Sequence, residues 1–258
     1  RRPPKSTLFP YTTLFRSAAN LSQEINGVSW LHGEVTKDMF KILWPGFFPE
    51  ELHIGYVTNG VHYSTWASDE IRNLNQKYAS NVDLNISNNP SEWQFVHNVD
   101  DKEIWEIKNK HRKNLVQFVK KRINSEMSRQ NKSPQQIVAI QNKLNENTLT
   151  IGFARRFATY KRAYLLLENT QRLDKLLNNP KYPVQIIFAG KAHPRDKQGQ
   201  ELIQRIIEIS KLPQFVGKLI FLEGYDIEVA KKLEIGRASC RQRVYMQRVG
   251  VMLQNIQT

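Results

Sequence analysis

Residues 148–162 read TLTIGFARRFATYKR, and the stretch changes character halfway along. Its first six residues are a short apolar run carrying two β-branched Thr and an Ile, which predicts a buried strand over 148–153. Its last eight hold four cations, Arg155, Arg156, Lys161 and Arg162. Working outward, 162–177 predicts a helix and 183–190 (PVQIIFAG) a second strand. A helix follows over 197–210, then a third strand over 218–222 and a further helix from Ile227. Strands of five or six residues alternating with helices of a dozen or so describe a βαβαβ unit, an α/β fold with a parallel sheet. Upstream, 67–147 is largely helical and polar. Over 100–127, Asp100 and Glu103 form an acidic relative of a capping box. Ile104, Ile107, His111, Leu115, Phe118, Val119 and Ile123 then recur at helical spacing. Residues 18–66 are compact, with Gly and Pro punctuation and several aromatics.

In a parallel sheet of this kind, ligands bind outside the carboxyl ends of the strands. After the first strand, two Arg leave the sheet and two more cations enter the next element. Thr159 is placed as an N-cap, so backbone N–H groups and a helix dipole would add to the positive field. The residues alone leave two readings: a solvated basic helix start, or a site for a multiply charged anion. After the second strand come Gly190, which permits close backbone approach, Lys191, and His193 before Pro194, where the imidazole shapes the loop. After the third come Tyr225 and Asp226, the latter expected to cap the following helix. Three successive crossovers thus bring basic or hydrogen-bonding groups to one edge, which favours a phosphate-handling site. No GxGxxG follows the first strand, and no GxxxxGK[ST] occurs anywhere. His32 and Glu34 are too close for HExxH zinc chemistry, and no metal site is expected.

The chain has 258 residues, a formal net charge of +14, a hydrophobic fraction of 40% and a single Cys. The aromatic and aliphatic content excludes a disordered chain. No run approaches the roughly 18 apolar residues of a membrane span. One Cys builds no disulfide framework, which fits a reducing, cytoplasmic setting. The ends differ from the middle. Residues 1–17 (RRPPKSTLFPYTTLFRS) contain no acid and show no helical or strand period, and 234–258 are again base-rich. Both are similar to translated sequencing-adapter sequence and are set aside, the alternative being a basic arm and tail that bind a partner. They carry +4 and +3 of the net charge, leaving +7 for 18–233.

GFARRFATYKRA, FAGKAHPRD, IFLEGYDIEVAKKL and VTNGVHYSTW, with INGVSWLHGEV and LWPGFFPEE upstream, resemble the α-glucan (glycogen and maltodextrin) phosphorylases over essentially all of 18–233. The short bacterial and archaeal branch is the most similar. The resemblance implies a two-lobed glycosyltransferase-B architecture built from Rossmann-like sheets. Residues 18–66 would end the first lobe and cross over, 67–147 form a helical region, and 148–233 begin the second lobe. It implies reversible phosphorolysis of the terminal α-1,4-linked glucose of a glucan. Inorganic phosphate enters, α-glucose 1-phosphate leaves, and the phosphate of pyridoxal phosphate does the proton work.

Carried over by motif, Arg156 and Lys161 match positions that bind substrate phosphate. Arg155 falls where the better-known branch has a Lys beside the cofactor phosphate. Tyr225 and Trp66 match residues near that phosphate, and Tyr160 and Asn59 match glucose contacts. Read from the residues alone, Trp66 also suits a core and Asn59 a turn before Gly60. One departure is Gln23, where the animal enzymes have a His three residues before Asn-Gly-Val. The family's cofactor lysine falls beyond Leu233, so the 258 residues alone are expected to be inactive. Two rival readings are a nucleotide-sugar glucosyltransferase of the glycogen-synthase type and a basic nucleic-acid-binding protein. The spacing of ARRFATYKR and the TNGVHYSTW segment disfavour the first. The second rests on Lys110, Arg112, Lys113, Lys120, Lys121 and Arg122, which read as a solvated helix face because no aromatic stacking platform accompanies them.

Overall fold

The computed structural model describes residues 11–84, 89–236 and 239–240. They form two compact units that divide between Val61 and His62. Residues 1–10 and 241–258, set aside above as adapter-like, lie outside the described residues.

In the first unit, α1 spans Tyr11–Leu21, β1 Ile25–Gly27, α2 Trp30–Phe40 and β2 Ile54–Tyr56, with 3-10 turns at Lys41–Leu43 and Pro49–Glu51. The helix α1 crosses a segment in which the sequence showed no helical period. Pro3, Pro4 and Pro10 interrupt that segment, but past Pro10 no proline removes a backbone donor until Pro45. Strands β1 and β2 pair in parallel, Ile25 opposite Ile54 and Gly27 opposite Tyr56. Ser29 caps the connecting helix α2, its hydroxyl accepting from the His32 N–H at 3.2 Å. A Cβ on Gly27 would overlap the Gly33 backbone, so glycine lets α2 sit directly on β1.

The second unit carries the parallel sheet. It opens with α3 (Tyr63–Trp66), α4 (Asp69–Tyr78) and a 3-10 segment, Pro90–Asn98. The long helix α5 (Asp101–Arg129) and α6 (Pro134–Lys143) follow. Then come β3 (Leu149–Ala154), α7 (Thr170–Leu177), β4 (Val184–Ala189), α8 (Lys197–Ser210), β5 (Leu219–Leu222), α9 (Ile227–Gly236) and β6 (Ser239–Cys240). The strand order is β5-β4-β3-β6, all parallel. Both α9's last residues and β6 fall inside the segment set aside above.

Alternation along β4 explains the layers. Ile186 and Phe188 pack with Phe157, Leu173, Leu177, Ile206 and Phe215 on the face covered by α7 and α8. Ile187 and Ala189 pack with Leu115, Val119, Val229 and Leu233 on the face covered by α5 and α9. Each fully buried Leu, Ile or Phe of these layers contributes about 1.5–3 kcal/mol. The expected stripe on α5 forms: Ile104, His111, Leu115, Val119 and Ile123 are buried, with Ile107 and Phe118 partly so. Asp100 caps that helix by accepting from the Lys102 N–H at 2.9 Å. Glu103 does not reach back to close a capping box; it accepts from Lys77 Nζ and the Tyr78 hydroxyl, each at 3.1 Å.

The predicted single helix over 162–177 is not formed. Two 3-10 turns, Thr159–Lys161 and Ala163–Leu167, precede α7. Arg162 between them is left-handed, with φ 55° and ψ 32°, which ends the first turn. Asn169 then caps α7 afresh, its side chain accepting from the Arg172 N–H at 2.8 Å. Thr159 caps nothing; it is the first residue of a three-residue turn. The helix dipole expected at this site is therefore absent.

Candidate phosphate-handling site

Strand register places the three loops. Ala154 pairs with Ala189, and Ala189 with Leu222, so Arg155, Gly190 and Glu223 leave the sheet side by side at its carboxyl edge. This is where open α/β sheets bind ligands.

The first loop is anchored by Phe157, which is 0% exposed. Its ring lies 5.4 Å from that of Phe153 and 5.8 Å from that of Phe221. With Phe157 turned inward, Arg155 is half-buried and Arg156 exposed. Four residues on, Lys161 Nζ stands 4.4 Å from the centroid of the Tyr160 ring, and Tyr160 is 72% exposed. The second loop is tied to the first: the Arg155 N–H donates to the Ala189 carbonyl at 3.3 Å and the Phe157 N–H to the Lys191 carbonyl at 3.0 Å. Gly190 has φ +153°, and a Cβ there would overlap the Arg155 carbonyl oxygen. The close approach read from the sequence at Gly190 is thus between two loops. His193 shapes its loop as expected, Nδ1 accepting from the Arg195 N–H at 3.1 Å.

Among the described residues, Arg155, Arg156, Lys161, Arg162 and Lys191 form no ion pair. Five cations without carboxylate partners at the loops of one sheet edge make an electropositive site suited to a phosphate, which Arg grips through a planar fork and Lys as a point charge.

The third loop holds Tyr225, packed against the α5-side core. Asp226 caps α9 as predicted, accepting from the Val229 N–H at 2.8 Å. That bond, with Arg122 at 3.4 Å, keeps its carboxyl below the usual range. Trp66 is half-buried at the end of α3, which packs on α9, the helix that follows Tyr225. Asn59 belongs to the first unit, is exposed, and its N–H donates to the Val28 carbonyl at 3.4 Å. Sheet register therefore brings together the first-loop cations, Lys191 and the loop of Tyr225, and leaves Asn59 outside that set.

Two groups lay outside the sequence reading. Glu126 is only 8% exposed. Burial first, and the Glu223 carboxylate second, push its carboxyl up to about 7. It lines a cavity of about 530 Å³ beside the open edge of β5, with Glu223, Lys132 and Lys211 also on the walls. Glu126 stands three residues past Ile123, on the buried face of α5, where a polar residue reads as a break in the stripe. The second group is Ser68, Glu70 and His111. His111 Nε2 lies 2.8 Å from Ser68 Oγ and 3.2 Å from Glu70 Oε2. Hydroxyl and carboxylate share one ring nitrogen, so the arrangement cannot work as a nucleophilic triad, which needs them on opposite nitrogens. Among the described residues, no three His, Cys, Asp or Glu could hold a metal ion, and no helix is long and apolar enough to cross a membrane.

Comparison with known proteins bears on the same loops. The family described as Carbohydrate phosphorylase matches residues 16–239. The chain is 39% identical over 218 residues to a maltodextrin phosphorylase of Thermococcus litoralis, covering 83% of this chain and 25% of that protein. It is 40% identical over 216 residues to a glycogen phosphorylase of Mycobacterium tuberculosis, covering 84% and 25%. It is 37% identical over 206 residues to a glycogen phosphorylase of Aquifex aeolicus, covering 80% and 29%. The chain thus spans about a quarter of the length of these relatives. Because the match spans residues 16–239, all three loops of the cationic edge included, this chain belongs to the carbohydrate phosphorylase family.

Proposed function

We propose that this chain supplies the phosphate-holding edge of an α-glucan phosphorylase, an enzyme that cleaves the terminal α-1,4-linked glucose of glycogen or maltodextrin with inorganic phosphate. The product is α-glucose 1-phosphate, and the reaction is reversible. The single observation that carries the reading is the set of first-loop cations and Lys191, none of them neutralised by a carboxylate among the described residues. Such a set is costly to hold together unless an anion of more than one charge sits among it. Arg156 and Lys161 hold the attacking phosphate. Arg155 and Tyr225 hold the phosphate of pyridoxal phosphate, with Trp66 beside it. Tyr160 and Asn59 take the glucose hydroxyls, Asn offering both a donor and an acceptor.

The residues present fit that cofactor's phosphate: half-buried Arg155 and the Tyr225 loop leave β3 and β5, the two strands that flank β4, at the same carboxyl edge. When bound, pyridoxal phosphate supplies a second phosphate that exchanges a proton with the substrate phosphate. The work of this chain's residues is to offset the repulsion between two phosphates and to fix their approach, which lowers the barrier through a preorganised field and proximity. The wider architecture in this reading is the two-lobed glycosyltransferase-B fold, with this parallel sheet opening the second lobe. A cytoplasmic setting accompanies it.

The test is to exchange residues 18–233 into the matching part of the Thermococcus litoralis maltodextrin phosphorylase. The exchanged enzyme should release glucose 1-phosphate from maltodextrin and phosphate, and Arg156→Ala in it should abolish release. Transfer of glucose from ADP-glucose or UDP-glucose, with no phosphorolysis, would instead make the chain part of a nucleotide-sugar glucosyltransferase.

A further inference from the structure

We propose that Gly199, in the first turn of α8, is a positioning residue for the phosphate-holding loop and acts through the backbone of Phe157. The inference rests on the roles given above to Arg156 and Lys161.

Phe157 directly follows Arg156 and lies four residues before Lys161, so its placement sets both. It is held from three sides. Its ring is fully buried among Phe153, Phe188 and Phe221. Its N–H donates to the Lys191 carbonyl at 3.0 Å. Its carbonyl oxygen faces Gly199 so closely that a Cβ there would overlap it. The helix behind Gly199 has little freedom to retreat. The Gly199 N–H is taken by Asp196 Oδ1 at 2.9 Å, and Leu202 and Ile206 of α8 are buried in the sheet's core. A side chain at 199 would therefore be absorbed by the loop, by moving the Phe157 peptide and with it the two cations on either side.

Gly190 presses on the same loop from the other side, against the Arg155 carbonyl, but it also has a positive φ. Alanine at 190 would strain its own backbone as well as the loop. Gly199 is the cleaner probe, because it sits within a helix, where alanine is the better helix former, and the other group its Cβ would crowd is the Asp196 side chain at 3.0 Å, which can give. Any loss of loop geometry in Gly199→Ala is thus accompanied by a helix-propensity gain, and phosphate affinity separates from global stability.

The experiment uses the full chain and inorganic phosphate as the probe. Backbone amide shifts and thermal melting are followed for the wild type, Gly199→Ala and Arg156→Ala. The expected result is saturable phosphate binding that shifts the Arg156 and Lys161 amides in the wild type. Gly199→Ala should bind about tenfold more weakly, with the amides of β4 and β5 unmoved and the melting temperature within about 3 °C, because the core is kept and the helix-propensity gain offsets the crowding of the Asp196 cap. In the exchanged Thermococcus litoralis enzyme, the same variant should raise KM for phosphate about tenfold and leave KM for maltodextrin within twofold. Wild-type affinity in Gly199→Ala overturns the inference, as does an equal rise in both KM values. A wild type that binds no phosphate, with Arg156→Ala indistinguishable from it, overturns the phosphate reading instead. In that case the positioning role is still decided by the free chain: it fails if the Arg155 to Lys161 amides do not move in Gly199→Ala.

Discussion

Two groups of basic residues occur within the second unit, and only one of them is neutralised. On α5, Lys110 pairs with Glu70 at 2.9 Å, Lys113 with Glu146 at 3.8 Å and Arg122 with Asp226 at 3.4 Å. Arg112 donates through Nε to the Glu146 carbonyl at 2.6 Å. At the carboxyl edge of the sheet, Arg155, Arg156, Lys161 and Lys191 make no such contact among the described residues. The two runs look alike in sequence. What separates them is that α5 lies along other elements whose carboxylates and carbonyls meet its cations, whereas the carboxyl groups at the sheet edge, Glu223 and Asp226, pair with none of the loop cations among the described residues. The α5 run keeps Lys110, Lys113 and Lys121 exposed, as the sequence implied, but half of its cations find carboxylates there, with Arg112, Lys120 and Lys121 the members without an ion pair among the described residues. Unneutralised charge, not charge density, marks the candidate site.

Truncation should affect the two runs in opposite ways. Arg156→Ala should weaken phosphate binding by about 2–3 kcal/mol, the scale of a lost charge-assisted hydrogen bond pair. It should leave thermal stability nearly unchanged, because the exposed guanidinium supports no other residue. Arg112→Ala should do the reverse. It deprives the Glu146 carbonyl of a charged donor, costing about 1–3 kcal/mol in urea unfolding, with phosphate affinity unaltered. Calorimetric titration with phosphate and a urea melt on each variant check both. Equal loss of phosphate affinity in Arg112→Ala would erase the distinction.

On the acidic side, Arg122 and Arg129 of α5 act on the Glu126 carboxyl and still leave it raised. Burial and the Glu223 carboxylate set it at about 7, against an ordinary 4.5. Lys132 and Lys211 stand on the same cavity wall. The folded state therefore holds this proton more tightly than the unfolded chain. Its contribution to stability is full below about pH 4.5, falls as pH rises, and is lost above about pH 7. Glu126→Gln keeps an acceptor for the Glu223 N–H and removes the charge. It should gain about 2 kcal/mol over wild type at pH 8 and nothing at pH 4.5. Urea midpoints at the two pH values read this directly. Burial likewise raises Glu234 to about 7, so the difference between variant and wild type, not the wild-type slope alone, isolates Glu126.

Much of this was legible in the residues. The runs TLTIGF, PVQIIFAG and KLIFL became β3, β4 and β5 within a residue or two at each end, because a strand buried on both faces leaves a short, uninterrupted apolar run. Parallel topology followed from the helices between them, and the cationic edge followed from the topology. The backbone between Thr159 and Asn169 was not legible. Ala163 to Leu167 is apolar throughout, so its composition does not separate a helix from a 3-10 turn; in the structure Ala163 and Leu167 are buried, while Leu165 and Leu166 stay exposed. Glu126 was hidden for a related reason: a polar letter at a core-facing helical position reads as an interruption of the stripe. Neither Gly199 nor its contact with Phe157 has a local signature, since the two are 42 positions apart in the chain.

The smallest effect concerns the fourth cation of the run. Arg162 was grouped with Arg155, Arg156 and Lys161 by spacing, but of the four it alone is in the left-handed region, at φ 55°. A non-glycine residue there costs about 1–2 kcal/mol. Glycine removes that cost and gives back about 0.5–1 kcal/mol through the freer unfolded chain. Arg162→Gly should therefore stabilise the chain by about 0.5 kcal/mol in a urea melt. Arg162 lies outside the set that holds the phosphate in this reading, so its charge acts on a neighbouring phosphate only through screened solvent. Phosphate affinity should fall by no more than about threefold, against the hundredfold scale of Arg156→Ala. A tenfold loss in Arg162→Gly would return this residue to the binding set, and the geometric role assigned to it would be wrong.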